Sequence, residues 1–294
     1  MILVEERVGR SLAWVYSNNT ARLVGKAFSL ALLVTAAWQL TRVDLASAWA
    51  MVPASIAFWL VFAAYYLTGP TTEWFIYRRL WQSPEGLFPA TLRKLAANEL
   101  FIGLSGEASF YAWARKRHLT NPSPFAAIKD VSLLSGLVGN AAGFAALPYG
   151  LTLLPADDLP MIWLGTLALF GTSCALLLLR RRLLTLPARA CAMIAALHAL
   201  RTVVLTILTI ALWWMILPEV PLQTWLNLAA LRILVSRVPF IPNPDLVFAG
   251  LTVLIAGAAA PVTAVTATLA TLLLAAHLVA SALLSCASAP GKTA

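Results

Sequence analysis

Charged side chains are scarce in this 294-residue chain, where Asp, Glu, Lys and Arg together make up 11% of the residues. A soluble domain carries roughly a quarter charged residues, so this composition excludes an ordinary water-soluble protein. Apolar residues make up 61% of the chain and its mean hydropathy is +0.82, which is typical of a surface that faces lipid. Cysteine is rare too: there are three, and no pair has metal-ligand spacing, which favours small buried apolar residues over a redox role.

Known chemical motifs are also missing. The chain has no phosphate-binding glycine loop, no HExxH pair and no GxSxG motif, and His118, His198 and His277 are too scattered for a metal site. We therefore expect no metal, no cofactor and no enzymatic activity. The net charge is +9, but the basic residues lie at the ends of apolar segments, where topology and anionic headgroups account for them. Nucleic acid is not an expected partner.

The apolar runs predict an all-α polytopic integral membrane protein whose 294 residues form a single transmembrane domain. A spanning helix needs about 20 residues, and no stretch has the composition of a separate soluble domain. The second run is expected to end at Gly69-Pro70. About six full spans are predicted, at residues 27–40, 46–67, 131–154, 159–179, 187–217 and 261–285.

Two further segments consist of apolar stretches too short to cross a bilayer, and both are predicted to be re-entrant helical hairpins. The segment 222–257 is interrupted by three prolines between residues 239 and 244, and the segment 95–113 by the sequence LSGEAS. Lipid cannot hydrogen-bond a broken backbone, so such a break survives at membrane depth only where protein surrounds it or water reaches it. Because one hairpin enters from each side, an inverted repeat is a further expectation.

Lysine and arginine residues in the short loops predict the orientation. The N-terminal segment, the flanks of residues 71–117 and Arg180–Arg182 are basic, whereas the loops at 42–44, at 157–158 and at Glu219 are neutral or acidic. All basic loops fall on one side if both termini are cytoplasmic. We therefore predict a multi-pass protein of a bacterial-type inner (plasma) membrane with both termini in the cytoplasm.

Two blocks of sequence resemble a known family. NELFIGLSGEASFYAWARKR followed by PFAAIKDVSLLSGLVGN, and later RILVSRVPFIPNP, are similar to the Gly-Glu block and the late proline block of lysylphosphatidylglycerol synthase-type transmembrane domains. The resemblance covers most of the chain from about Trp49 onward. It implies a stand-alone, flippase-like protein that moves a lipid across the bilayer, without the soluble domain that attaches an amino acid. Pro242-Asn243-Pro244-Asp245 replaces the glycine-rich turn of the late block, and no Arg closely follows Gly106-Glu107.

Three arginines at or near membrane depth are candidate ligands of a lipid phosphate. A cation in the bilayer costs several kcal/mol, so its presence suggests a function, and a guanidinium binds phosphate through two parallel hydrogen bonds. Arg201 lies in the span 187–217 with His198 one turn away, and Arg232 and Arg237 precede the proline break. The alternatives are that Arg201 extends to the cytoplasmic headgroups and that the other two contact an interface non-specifically.

Acidic and amide side chains complete the predicted substrate-binding set. Glu107, beside the first hairpin's break, is interpreted either as a proton acceptor, as a partner of Arg201 or Lys129, or as an ion pair closing the hairpin. Asp245 is expected to pair with one of the arginines or to cap the helix after Pro244. Two more candidates complete the set: Glu99, in the first hairpin, and Asn140, which is expected to hydrogen-bond another helix.

The function that follows is binding and translocation of an anionic phospholipid or lipid-linked substrate. Membrane lipids would be its partners, and self-association into a homo-oligomer is left open. One alternative is an intramembrane enzyme acting on a lipid or polyprenyl phosphate, with His198 and Asp245 supplying a base. The other is a non-transporting membrane assembly subunit, in which the interior charges only close a dry bundle.

Overall fold

A computed structural model describes residues 49–82, 84–100, 105–153, 170–171, 173–174, 183–237, 243–257 and 260–286. These residues belong to one compact unit within 46–294. The predicted span at 27–40, nearly all of the span at 159–179 and the basic run Arg180–Arg182 lie outside the described residues.

Helices make up all the regular structure of the described residues, and no strand occurs among them. The prediction of an all-α protein is therefore confirmed for this part of the chain. In chain order the helices are α1 Ile56–Trp81, α2 Leu87–Leu100, α3 Ser105–Lys116, α4 Pro124–Gly150, α5 Ala188–Ile216, α6 Leu222–Val235, α7 Pro244–Ala256 and α8 Pro261–Cys286, with a 3₁₀ turn, Leu151–Leu153, after α4.

Three of these helices are long and apolar enough to cross a membrane. They are α4 with its 3₁₀ turn, Pro124–Leu153, then α5, and α8 over Pro261–Ser285. With a rise of about 1.5 Å per residue, each exceeds a hydrocarbon core of about 30 Å. The protein is therefore membrane-embedded, as its composition predicts.

Helix α1 differs from the predicted second span. It begins at Ile56, after Ser55 accepts a hydrogen bond from the backbone N–H of Phe58 at 3.3 Å. It then continues through Pro70 to Trp81, so the predicted end at Gly69-Pro70 is wrong. A proline removes one backbone hydrogen bond from a helix, but tertiary packing supplies most helix stability in proteins. Here Tyr65 and Tyr77, on either side of the proline, are both buried.

The predicted break in the segment 222–257 is confirmed. Helix α6 ends at Val235 and α7 begins at Pro244, and at 14 and 13 residues each reaches only about 20 Å. Asn243 adopts a left-handed conformation with φ 48° and accepts a hydrogen bond from the backbone N–H of Leu246 at 3.2 Å. Asn243 is therefore the cap of α7, and the alternative that assigned this role to Asp245 is wrong.

Helices α2 and α3, the arms of the first predicted hairpin, contact each other closely. The backbone N–H of Gly106 donates to the side-chain oxygen of Asn98 at 2.8 Å, and the Ser105 hydroxyl donates to the Ala97 carbonyl at 2.7 Å. A Cβ on Gly106 would lie 2.2 Å from the carbonyl oxygen of Lys94. Only glycine therefore permits this approach of the two helices.

Two apolar clusters occupy the interior, and α1 and α5 run through both. One cluster lies around α6 and α7, where the Trp213 ring is 5.7 Å from the rings of Trp225 and Phe248. The other lies around α2, α3 and α4, where Tyr77 and Phe110 are 4.7 Å apart. The helices of each predicted hairpin, α2 and α3 or α6 and α7, thus pack against a different end of α1 and α5.

Candidate anion-binding site

Two arginines from different elements converge on one face of α4. Arg201, on α5, donates from Nη2 to the Ser135 hydroxyl at 2.9 Å. Arg237, two residues after α6, lies against Gly139, where an added Cβ would fall 1.7 Å from its Nη1. Residues 135 and 139 are about one helical turn apart, or about 6 Å. The two guanidinium groups therefore contact α4 about one helical turn apart.

Neither of these guanidinium groups forms an ion pair within the described part of the chain. Arg237 directs Nε and Nη2 to the neighbouring Ser236 hydroxyl at 3.2 and 3.1 Å, and Arg201 has the single contact to Ser135. A guanidinium carries five N–H donors, so most remain available. Both residues are half-buried.

Arg232 lies in a different environment from the other two arginines. Its Nε donates to Asp245 at 2.6 Å, and its Nη2 bonds the Tyr65 hydroxyl. This ion pair joins the end of α6 to the start of α7 across the proline break. The predicted pairing of Asp245 with an arginine is confirmed for Arg232, whereas the alternative pairing with Arg201 is not formed.

Glu99, near the end of α2, lies within electrostatic range of that ion pair. Loss of hydration on burial, followed by repulsion from Asp245, raises the pKa of Glu99 to about 7, with Arg232 acting in the opposite direction. Glu99 is therefore coupled electrostatically to the Arg232–Asp245 pair.

A second charged cluster surrounds Lys94 on α2. Its ammonium group is 2.7 Å from a carboxylate oxygen of Glu73 on α1 and 3.3 Å from one of Glu107 on α3, and only 3% of the Lys94 side chain is exposed. Of the alternatives for Glu107, the structure therefore forms the ion pair that closes the hairpin, and not a pair with Arg201 or Lys129. Sequence reasoning missed the partnership of Lys94 and Glu73, although both fall within the polar segment 71–117.

Two candidates remain: Asn140 lies on α4, which both arginines contact, and His198 lies on α5, which carries Arg201. Asn140 donates to the Ser173 hydroxyl at 2.9 Å, as predicted for an amide that links neighbouring segments. His198 is fully buried, and within the described part of the chain neither ring nitrogen has a hydrogen-bond partner. The enzyme alternative requires His198 and Asp245 to act together as a general base. That pair is not formed, because Asp245 is bonded to Arg232.

Asp130 holds α4 against the segment that leads into α5. Its carboxylate is fully buried and accepts hydrogen bonds from the backbone N–H groups of Thr185 and Leu186, both at 2.7 Å. Lys129 lies 3.2 Å from the other oxygen. This connection holds α4 next to the segment that leads into α5, the helix that carries Arg201.

Sequence reasoning missed the α4 residues that receive the two arginines. Ser135 and Gly139 are spaced four apart, so they share one face of the helix. That spacing of small residues was the available signal, but Gly136 and Gly143 obscure it because they are equally small.

No group of three metal-ligating side chains occurs among the described residues. A pocket of about 530 Å³ is lined by Phe75, Arg78, Arg79 and Gln82 near the end of α1, and neither Arg201 nor Arg237 lines it. No protein-family model, no curated protein and no solved structure matches the chain.

Proposed function

We propose that this protein binds an anionic phospholipid or lipid-linked anion within the membrane and moves it between the leaflets. The observation that supports this is the pair formed by Arg201 and Arg237, which share one face of α4 without an ion-pair partner among the described residues. Uncompensated cations in the bilayer are costly, so their retention favours a negatively charged occupant. The resemblance to flippase-like domains leads to the same substrate class.

The proposed arrangement in the membrane has about six full spans and two re-entrant hairpins that enter from opposite sides as an inverted repeat. In support, α6 and α7 are too short to cross and are separated by a break. Helices α2 and α3 are 14 and 12 residues long and contact each other. Both termini would lie in the cytoplasm of a cell with a bacterial-type inner membrane.

In this proposal the headgroup binds on the α4 face while the acyl chains remain in lipid. Arg201 and Arg237 would bind the phosphate through charge-assisted hydrogen bonds. The Ser135 and Ser236 hydroxyls, which already orient the two guanidinium groups, would keep them aligned. The Arg232–Asp245 pair would hold the proline break in position rather than bind substrate.

The test is translocation of a fluorescent anionic phospholipid in vesicles that contain the purified full-length protein. Arg201→Gln and Arg237→Gln should each slow translocation roughly tenfold, the effect of losing about 1.4 kcal/mol of charge-assisted hydrogen bonding. Arg189→Gln is the matched control, because Arg189 lies on the same helix as Arg201 but is exposed. If the two site variants translocate lipid as fast as the parent protein, the proposal is wrong.

A further inference from the structure

Arg201 and Arg237 also indicate the charge of the occupant, an inference that rests on the proposed function. Arg201 and Arg237 bring two positive charges to neighbouring positions on α4. We propose that the site selects a dianionic phosphate group, the phosphomonoester or diphosphate end of a lipid, over the monoanionic phosphodiester of ordinary phospholipids.

Charge compensation is the first argument. Within the described residues no acid forms an ion pair with either arginine: Asp245 bonds Arg232 at 2.6 Å and Glu73 bonds Lys94 at 2.7 Å. Glu73 acts on Arg201 only from beyond ion-pair distance. A phosphodiester would leave one guanidinium without a counter-charge in a medium where that is costly. A phosphomonoester carries about −1.5 to −2 near neutral pH and compensates both.

Hydrogen-bond geometry is the second argument. The two guanidinium groups belong to different elements and contact α4 about 6 Å apart, so each approaches a ligand from its own direction. A phosphomonoester has three terminal oxygens and therefore offers each guanidinium a pair of oxygens, with one shared. A phosphodiester has two terminal oxygens, which cannot satisfy two bidentate guanidinium groups equally well.

Gly139 allows the second charge to reach this position. A Cβ there would overlap Nη1 of Arg237 at 1.7 Å, so Gly139→Ala displaces that guanidinium while leaving Arg201 on Ser135. Gly136 lies three residues earlier on the same helix, and a Cβ there meets nothing within 4 Å. The chain thus provides a variant that removes one charge from the site and a matched control.

The experiment compares two probe lipids with identical labelled acyl chains, phosphatidic acid and phosphatidylglycerol, binding to the full-length protein in phosphatidylcholine nanodiscs. At about pH 8 the monoester is essentially dianionic. The parent protein and Gly136→Ala should bind phosphatidic acid roughly tenfold more tightly than phosphatidylglycerol. In Arg237→Gln and Gly139→Ala that ratio should fall to about one, because the lost charge weakens the binding of phosphatidic acid about tenfold more than the binding of phosphatidylglycerol.

The outcomes separate this inference from the proposed function. Equal affinity of the parent protein for the two lipids overturns the dianion preference and leaves anionic-lipid binding intact. No preference for either over phosphatidylcholine overturns both proposals. If inorganic phosphate displaces phosphatidic acid as effectively as unlabelled phosphatidic acid does, the site binds a soluble anion and the lipid occupant is wrong. An unchanged ratio in both Arg237→Gln and Gly139→Ala also overturns the inference.

Discussion

Two regions of this protein differ in whether their arginines have an ion-pair partner among the described residues. At the break between α6 and α7, Arg232 is neutralised by Asp245 at 2.6 Å and also bonded to Tyr65. On the α4 face, Arg201 and Arg237 have only serine hydroxyls as hydrogen-bond partners within the described residues. In the first region Asp245 supplies the counter-charge of the arginine. In the second region most of the guanidinium N–H donors remain available to a ligand.

The difference shows that position at membrane depth alone does not identify a binding residue. All three arginines satisfy the same sequence criterion, a cation within or beside an apolar segment. Their partners separate them, because a paired cation stabilises the fold whereas an unpaired one imposes a cost that a ligand can remove. The buried Lys94, held by Glu73 and Glu107, belongs with Arg232 on this basis.

The largest expected effect that tests this comparison is on stability. Asp245→Asn leaves Arg232 without its counter-charge in a site where the two side chains are 20% and 16% exposed. We expect a loss of about 2–3 kcal/mol in the free energy of unfolding, somewhat below the range for a fully buried pair. Arg201→Gln removes a charge that is already unpaired, so it should cost nothing or stabilise the protein. Unfolding in mixed micelles measures both.

The double variant Arg232→Gln/Asp245→Asn is the control for that experiment. Removing both charges leaves neither unpaired, so the double variant should recover most of the stability lost in Asp245→Asn. A loss in Arg201→Gln as large as that in Asp245→Asn would erase the distinction between the two regions.

A smaller effect comes from two glycines that are both crowded, but by different kinds of atom. Gly106→Ala places a Cβ 2.2 Å from the Lys94 carbonyl oxygen, whereas Gly139→Ala places one 1.7 Å from the end of the Arg237 side chain. Backbone cannot move aside and a side chain can. Gly106→Ala should therefore lower the free energy of unfolding by about 1–3 kcal/mol, and Gly139→Ala by less than about 1 kcal/mol.

The rate of lipid translocation separates the glycine variants in a second way. Gly139→Ala should lose translocation while remaining folded, because it displaces one of the two unpaired cations. Gly136→Ala, with open space around the new methyl group, should match the parent protein in both measurements. A Gly139→Ala protein as unstable as Gly106→Ala would mean that Arg237 is fixed structurally rather than held for a ligand.

Much of the fold could be predicted from local pattern. The long apolar helix expected at 187–217 is observed as Ala188–Ile216, and the span expected at 261–285 as Pro261–Cys286. The break before Pro244 followed from clustered prolines between short apolar stretches. The end predicted at Pro70 was wrong because the local cost of a proline does not reflect the buried residues that hold α1 together on both sides of it.

The candidate site was less predictable, because pairing depends on how helices pack. Arg201 and Lys129 were the two named candidate partners of Glu107, and the sequence does not say that Lys94, on the adjacent arm of the hairpin, is the cation that lies 3.3 Å away. The close contact between Arg237 and Gly139 joins residues that are 98 positions apart in the chain. The sequence suggested which charged residues to consider, whereas the structure was needed to show which of them form ion pairs.

The smallest expected effect concerns pH and belongs to the neutralised region. Glu99 lies on α2, outside the three long apolar helices, and burial and then Asp245 raise its pKa from 4.5 to about 7. The folded protein therefore holds this proton more tightly than the unfolded chain does, so the contribution of Glu99 to stability should decline as pH rises from about 4.5 through about 7. The melting temperature should fall over that interval more in the parent protein than in Glu99→Gln, which cannot titrate at this position. Above about pH 8 the Gln variant should be the more stable of the two. Parallel pH profiles for the two proteins would place Glu99 in a hydrated position, apart from the Arg232–Asp245 pair, and would weaken the view that this region is closed.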